Sequence, residues 1–486
     1  MIYINGQWRN GTGSQFQSLN PANEQVLWTG CSASANDIDD AVASAQRALP
    51  DWKGRSLDER LFFLKTFQQQ LEQNLPRLAK LITEEVGKPL WDATTEVQGM
   101  IGKIDLTIQA FHSRRASTEI EISGGVARTR YQPLGVVAVY GPFNFPGHIA
   151  NGQIAPALLA GNTLIFKPSE LTPLVAEETV KLWEETGLPP GVLNLVQGAR
   201  DTGEAIAQHS GIQAILFTGS LKTGVALQRA LVGRPEVLLA LELGGNNPLV
   251  VHRISDIDAA VYWTIQSAYI TSGQRCTCAR RLIVTKGNDE FLKRLQQAVS
   301  QLTPDRPDAN PPPFLGPLVH ASAVERLLQE QQRLVDHGAR VLVQAQRSSL
   351  GGAFVSPGLM DVTSCSSLTD EEVFGPLLQV HRVQSFDEAI TVANDTQYGL
   401  VAGLFSDQEE DFREFANSVQ AGLINWNRPT TGASGQLPFG GWGKSGNHRP
   451  AGYFMIDSCN SPVAMMESPS LSMPESSSPG LERFNQ

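Results

Sequence analysis

The feature that most constrains this chain is a rhythm that begins at Gly135. Val136-Val137-Ala138-Val139-Tyr140 is an unbroken apolar run of the kind buried on both faces of a sheet. A Gly-Pro loop follows it, then an apolar helix around 149–160 and a strand at 163–166. A helix around 174–186, a strand at 193–196, a short helix near 203–208 and a strand at 214–217 continue the series. Strands that alternate with helices predict a parallel sheet covered by crossover helices. After Gly244-Gly245 a second block opens, with a strand at 248–251, a helix over 257–271 and strands at 281–284 and 377–382. Two α/β blocks suit a chain of 486 residues, which exceeds one ordinary core.

The flanking segments have a different character. Residues 36–112 show helical periodicity, with Asn36 as a cap for a helix toward Ala48 and a second helix over 57–75. Residues 117–133 read as strands joined by a polar hairpin at Gly124-Gly125. The N-terminal segment Met1–Trp8 alternates and turns at Asn5-Gly6, which predicts a hairpin and not a signal peptide. Residues 467–486 are rich in Ser and Pro and are expected to be disordered.

Composition removes several classes of function. The net charge of −11 makes nucleic acid a poor partner, because that role calls for a basic face. No apolar run is long enough to span a bilayer. Five cysteines, odd in number and mostly scattered, argue against a disulfide framework and for a reducing, cytoplasmic location. Cys276-Thr277-Cys278 lacks zinc-ligand spacing and the eight histidines do not cluster around it, so no metal is expected.

Two short segments carry chemistry. Leu241-Glu242-Leu243-Gly244-Gly245 places a carboxylate at the end of an apolar strand, a costly position for a group without a task. Gly273-Gln274-Arg275-Cys276 places a thiol 34 residues later, after an apolar helix. A lone cysteine is ordinarily a small buried hydrophobe. Here Arg275, Arg280 and Arg281 flank it, and nearby positive charge lowers a thiol pKa. A thiol attacks a carbonyl and a carboxylate takes a proton from water, so the pair suits a thioester that is then hydrolysed. A thiol protease is a poor fit, since no His-containing motif partners Cys276. Phe217-Thr218-Gly219-Ser220-Leu221-Lys222-Thr223-Gly224 leaves a strand and enters a helix, whose N-terminus can bind a pyrophosphate. It is neither Gly-x-Gly-x-x-Gly nor a P-loop.

In their order and content these motifs resemble the aldehyde dehydrogenase superfamily over about residues 1–465. The resemblance implies an α/β, aldehyde-dehydrogenase-like fold. A Rossmann-type NAD-binding domain would use 1–115 and 135–243, and an α/β catalytic domain 244–440. A small β oligomerisation element would use 116–134 and 452–465, giving a homodimer or homotetramer. It further implies Cys276 as nucleophile, Glu242 as the base that activates water, and the Asn144 amide with the Cys276 N–H as donors to the oxyanion. NAD is the implied cofactor. Lys167 and Glu170 would hold the adenosine ribose, where a carboxylate repels a 2′-phosphate. The turn Gly219, Ser220, Leu221, Lys222, Thr223, Gly224 would meet the phosphates, with Gly244, Glu372 and Phe374 at the nicotinamide end. Phe143 departs from the Trp often found there in the family. Basic residues near the thiol and at 448–449 suit a small anionic aldehyde, with Arg275, Arg449 and His448 as candidate anchors.

Overall fold

The apolar run at 136–140 becomes an inner strand of a seven-stranded sheet. The protein is described here by a computed structural model covering residues 1–473, 476 and 478–481. From one edge the strands are Leu238–Glu242, Ala214–Thr218, Val136–Tyr140, Thr163–Lys167 and Leu193–Leu195, all parallel. The hairpin Ile2–Ile4 and Gln7–Arg9 is added antiparallel to the last of these. Asn5 and Gly6 both take positive φ, as a two-residue hairpin turn requires. Successive side chains enter opposite cores, which is why the run is apolar without a break. Val137 and Val139 pack with the helices Leu90–Arg114 and His148–Leu159. Val136, Ala138 and Tyr140 pack with the helix Ala35–Gly54.

A second seven-stranded sheet repeats the plan. Its order is Arg340–Val343, Gly358–Asp361, Leu377–Val383, Ala279–Thr285, Asn247–Val251, Val401–Phe405, Leu423–Trp426. All pairs are parallel except the first. Leu249 and Leu282 face the helices Ile257–Tyr269 and Asp289–Gln301, while Val250 and Ile283 face Phe386–Asn394 and Glu409–Ser418. A third, antiparallel sheet places Gly125–Pro133 between Thr118–Ile122 and Asn460–Glu467. Among the described residues no helix is long and apolar enough to cross a membrane.

Several boundaries differ from expectation. The first helix is capped by Ser34, not Asn36, because Ser34 and Asp37 form a capping box, and it runs on to Gly54. The helix read as 57–75 ends at Gln73, and Pro76 helps start a separate helix, Leu75–Val86. The C-terminal strand is Asn460–Glu467, whereas Ala451–Gly452 pairs locally with Pro438–Phe439. Of the tail expected to be disordered, Glu467 ends that strand, and residues 474, 475, 477 and 482–486 lie outside the described residues.

Candidate active site

The thiol is positioned by a strained connection. The helix Ile257–Tyr269 stops short, and Thr271, Ser272 and Gly273 follow with φ of 54°, 52° and 71°. Two non-glycine residues in the left-handed region persist only where neighbours over-determine them. Thr271 Oγ1 donates to Asp92 Oδ2 at 2.6 Å, and Ser272 Oγ to the Gly316 carbonyl at 2.7 Å. At Gly273 a Cβ would lie 2.2 Å from the Gly375 carbonyl oxygen, so only glycine fits. Past the thiol, Asn247 Nδ2 donates to the carbonyls of Cys276 and Cys278 at 2.7 and 2.8 Å. The loop is held from both ends.

Glu242 ends the edge strand Leu238–Glu242, bridged to Gly446. One carboxylate oxygen accepts the Ala451 N–H at 3.2 Å; the other is buried without a partner among the described residues. Burial holds this carboxyl well above the usual carboxylate range. A desolvated carboxylate with a free oxygen is suited to taking a proton from water. Asn144 is buried and donates one amide N–H to the Gln274 carbonyl at 2.9 Å, leaving the other for a ligand. The Cys276 N–H makes no hydrogen bond among the described residues, so one N–H from each of the two expected oxyanion donors is left for a ligand.

The expected lowering of the thiol pKa is not found. Burial pushes the Cys276 thiol far up, and the Glu372 and Glu242 carboxylates push the same way against Arg280. The flanking arginines are engaged elsewhere. Arg275 Nη2 donates to Asp92 at 2.8 Å. Arg280 donates to the carbonyls of Gly273 and Arg275. Arg281, pulled down to about 10 by burial, donates to the carbonyls of Asn246 and Ala393 from within the second block.

Cys276, Glu242 and Asn144 line one cleft of ≈ 1780 Å³. Its cofactor side carries Lys167, Glu170, Gly219, Ser220, Leu221, Lys222 and Thr223. Ser220 caps the helix Leu221–Ala230, accepting from Thr223 N. Gly224 is not in the lining; it is buried against Leu243, where a Cβ would lie 2.8 Å from Cδ2. Lys167 Nζ donates to the carbonyls of Pro168 and Gly198, and burial lowers it to about 8. Glu372 folds against Gly244, where a Cβ would lie 1.7 Å from its carboxylate oxygen, and burial lifts it to about 7. Phe374 meets Phe143 edge to face at 5.8 Å. Arg275 lines the cleft; His448 and Arg449 are exposed and outside its lining.

Four positioning groups had no sequence signal of their own. Asn247 reads as a strand start, Ala451 as a loop residue, and Asp92 as an ordinary helical carboxylate. Glu96 receives the N–H groups of Gly147 and His148 at 2.9 and 3.1 Å while paired with Lys88 at 2.6 Å. The run of Ser272-Gly273 before the cysteine was the one available hint of a strained turn.

Known proteins share this plan. A family model described as "Aldehyde dehydrogenase family" matches residues 8–461. N-succinylglutamate 5-semialdehyde dehydrogenase of Burkholderia vietnamiensis is 50% identical over 482 residues, covering 99% of each chain. The crystal structure of a putative aldehyde dehydrogenase from Burkholderia cenocepacia superposes with a TM-score of 0.91 at 30% identity, covering 98% of this chain and 99% of that one. Betaine aldehyde dehydrogenase from Staphylococcus aureus in complex with NAD+ gives 0.92 at 26% identity, covering 98% and 96%.

Proposed function

The chain belongs to the aldehyde dehydrogenase family, and from that membership we infer that it oxidises N-succinyl-L-glutamate 5-semialdehyde to N-succinyl-L-glutamate with NAD, in arginine catabolism. One observation carries the reading: Cys276, Glu242 and Asn144 share a single cleft with Arg275. The half-identical relatives bearing that enzyme's name support the substrate.

The residues present suit a dinucleotide. The helix N-terminus at Leu221 opens on the cleft, and the N–H groups of Leu221 and Lys222 have no partner among the described residues. They favour a pyrophosphate. Glu170 is an exposed carboxylate on the same wall, placed to accept from ribose hydroxyls and to disfavour a 2′-phosphate. Bound nicotinamide supplies the hydride acceptor.

The protein's own part divides into three roles. With its proton released to water, Cys276 Sγ attacks the aldehyde carbon as the thiolate, and the oxyanion is met by the second Asn144 N–H and the Cys276 N–H. After the hydride has left, the acyl group is a thioester on Cys276. Glu242 takes a proton from water, the hydroxide displaces sulfur, and the acid departs. Arg275 is the substrate anchor that the cleft favours, since His448 and Arg449 stand outside it. We further propose assembly as a homodimer or homotetramer through the three-stranded sheet, whose edge strand Thr118–Ile122 exposes Ile120, and a cytoplasmic location consistent with five free cysteines.

The test is NADH formation from N-succinylglutamate semialdehyde beside succinate semialdehyde and a neutral aliphatic aldehyde. A strong preference for the first is expected. Even turnover of all three would discard the substrate and keep the dehydrogenase.

A further inference from the structure

Beside the thiol lies a set of charges of which the chemistry above uses only Arg275. Lys88, Lys103 and Arg275 surround His148, Lys88 and Arg275 also lie over the Phe145 ring, and two carboxylates, Asp92 and Glu96, pair with them. Both carboxylates are occupied. Glu96 pairs with Lys88 at 2.6 Å, with both side chains fully buried, and Asp92 pairs with Arg275 at 2.8 Å. Three cations against two carboxylates leave one positive charge over, and it belongs to Lys103.

Lys103 lies on the helix Leu90–Arg114 and is only 7% exposed. It lines the catalytic cleft and has no hydrogen bond or ion pair among the described residues. Burial pulls it down to about 8. A largely desolvated ammonium with no protein partner is costly, and one that lines the cleft is placed to meet a ligand's charge. Its end is accommodated by Gly152, where a Cβ would lie 3.1 Å from Lys103 Cε. His148, held near 4 by burial and by Lys103 and Lys88, stays neutral beside it and adds no competing charge.

We propose that Lys103 receives a carboxylate of the substrate, at the end of the acyl chain away from the reacting carbon, with Arg275 completing the cationic wall. This deepens the reading above and rests on its acidic-aldehyde class. It makes Lys103 a specificity residue for anionic aldehydes.

The experiment is a ratio. Wild type, Lys103→Met and Lys103→Arg are assayed with N-succinylglutamate semialdehyde, succinate semialdehyde and a neutral aldehyde of similar length. In K103M the acidic-to-neutral ratio of kcat/KM should fall roughly tenfold to a hundredfold, the worth of a charge-assisted contact, with the loss in KM. K103R should recover most of the ratio. Removing an unpaired buried charge should not lower Tm, whereas loss of a purely structural lysine would. An unchanged ratio, or equal losses on acidic and neutral substrates, overturns the proposal. If wild type ignores the succinylated substrate yet oxidises succinate semialdehyde, the substrate reading fails, and the ratio on succinate semialdehyde still decides the role of Lys103.

Discussion

The two sides of Cys276 lean to opposite charge. On one stand Glu242, buried, and Glu372, half-buried with Arg280 at 3.5 Å; both carboxylates raise the thiol pKa. Toward the aldehyde wall stand Arg275 and Lys103, with one cation left unpaired. The acidic side suits a base and a sugar-hydroxyl acceptor; the basic side suits an anionic acyl chain. A thiol between them is not primed by its arginines, contrary to what their sequence positions suggest. Its environment in the unliganded cleft favours the neutral form.

The largest test of this division is the thiol itself. Cys276→Ala should lower kcat by roughly 10⁴-fold or more, measured as NADH production, since no other cysteine reaches the cleft. Residual turnover near wild type would move the nucleophile elsewhere. Next is Glu242→Gln, expected to slow steady-state turnover about 10²- to 10⁴-fold. A burst of NADH equal to the enzyme present should survive, because only deacylation fails. The working form is the carboxylate, and its pKa is raised. Turnover limited by deacylation should therefore fall as pH drops through a value above the ordinary glutamate range, and E242Q should lose that limb.

Smaller effects separate scaffold from charge. Asn247→Ala strands the carbonyls of Cys276 and Cys278 and should cost about 1–3 kcal/mol of stability by thermal or denaturant unfolding. No change would mean that the loop is held by Asp92 and Gly316 alone. The mildest is Glu372→Gln, which removes one of the two carboxylates opposing the thiolate. Its alkylation rate at pH 8 should rise several-fold. A slower rate would show that Glu372 does not act on the thiol by its charge.

The sequence made the architecture legible because both sheets bury both faces, so their strands are apolar runs that stand out between helices. Cys276 and Glu242 stood out as a thiol and a carboxylate where a helix and a strand give way to glycine, whereas the role of Asn144 came from the family resemblance alone. What the sequence concealed was pairing. Arg275, Arg280 and Arg281 look alike in a line of text, yet one meets Asp92, one the thiol loop's own carbonyls and one the far side of a sheet. Lys103 is one more helical lysine until the fold buries it. Ser34 displaced Asn36 as a cap because the reciprocal bond with Asp37 satisfies two backbone donors' needs at once.

The C-terminal strand has a consequence for how the protein is born. Asn460 follows its sheet partner Pro133 by 327 residues. At ordinary ribosomal speeds that gap lasts roughly 15–65 s, during which Gly125–Pro133 waits with one edge unpaired. The same late stretch brings Ala451 and Gly446 to Glu242. A nascent chain therefore carries its thiol well before the contacts that seat Glu242 are made.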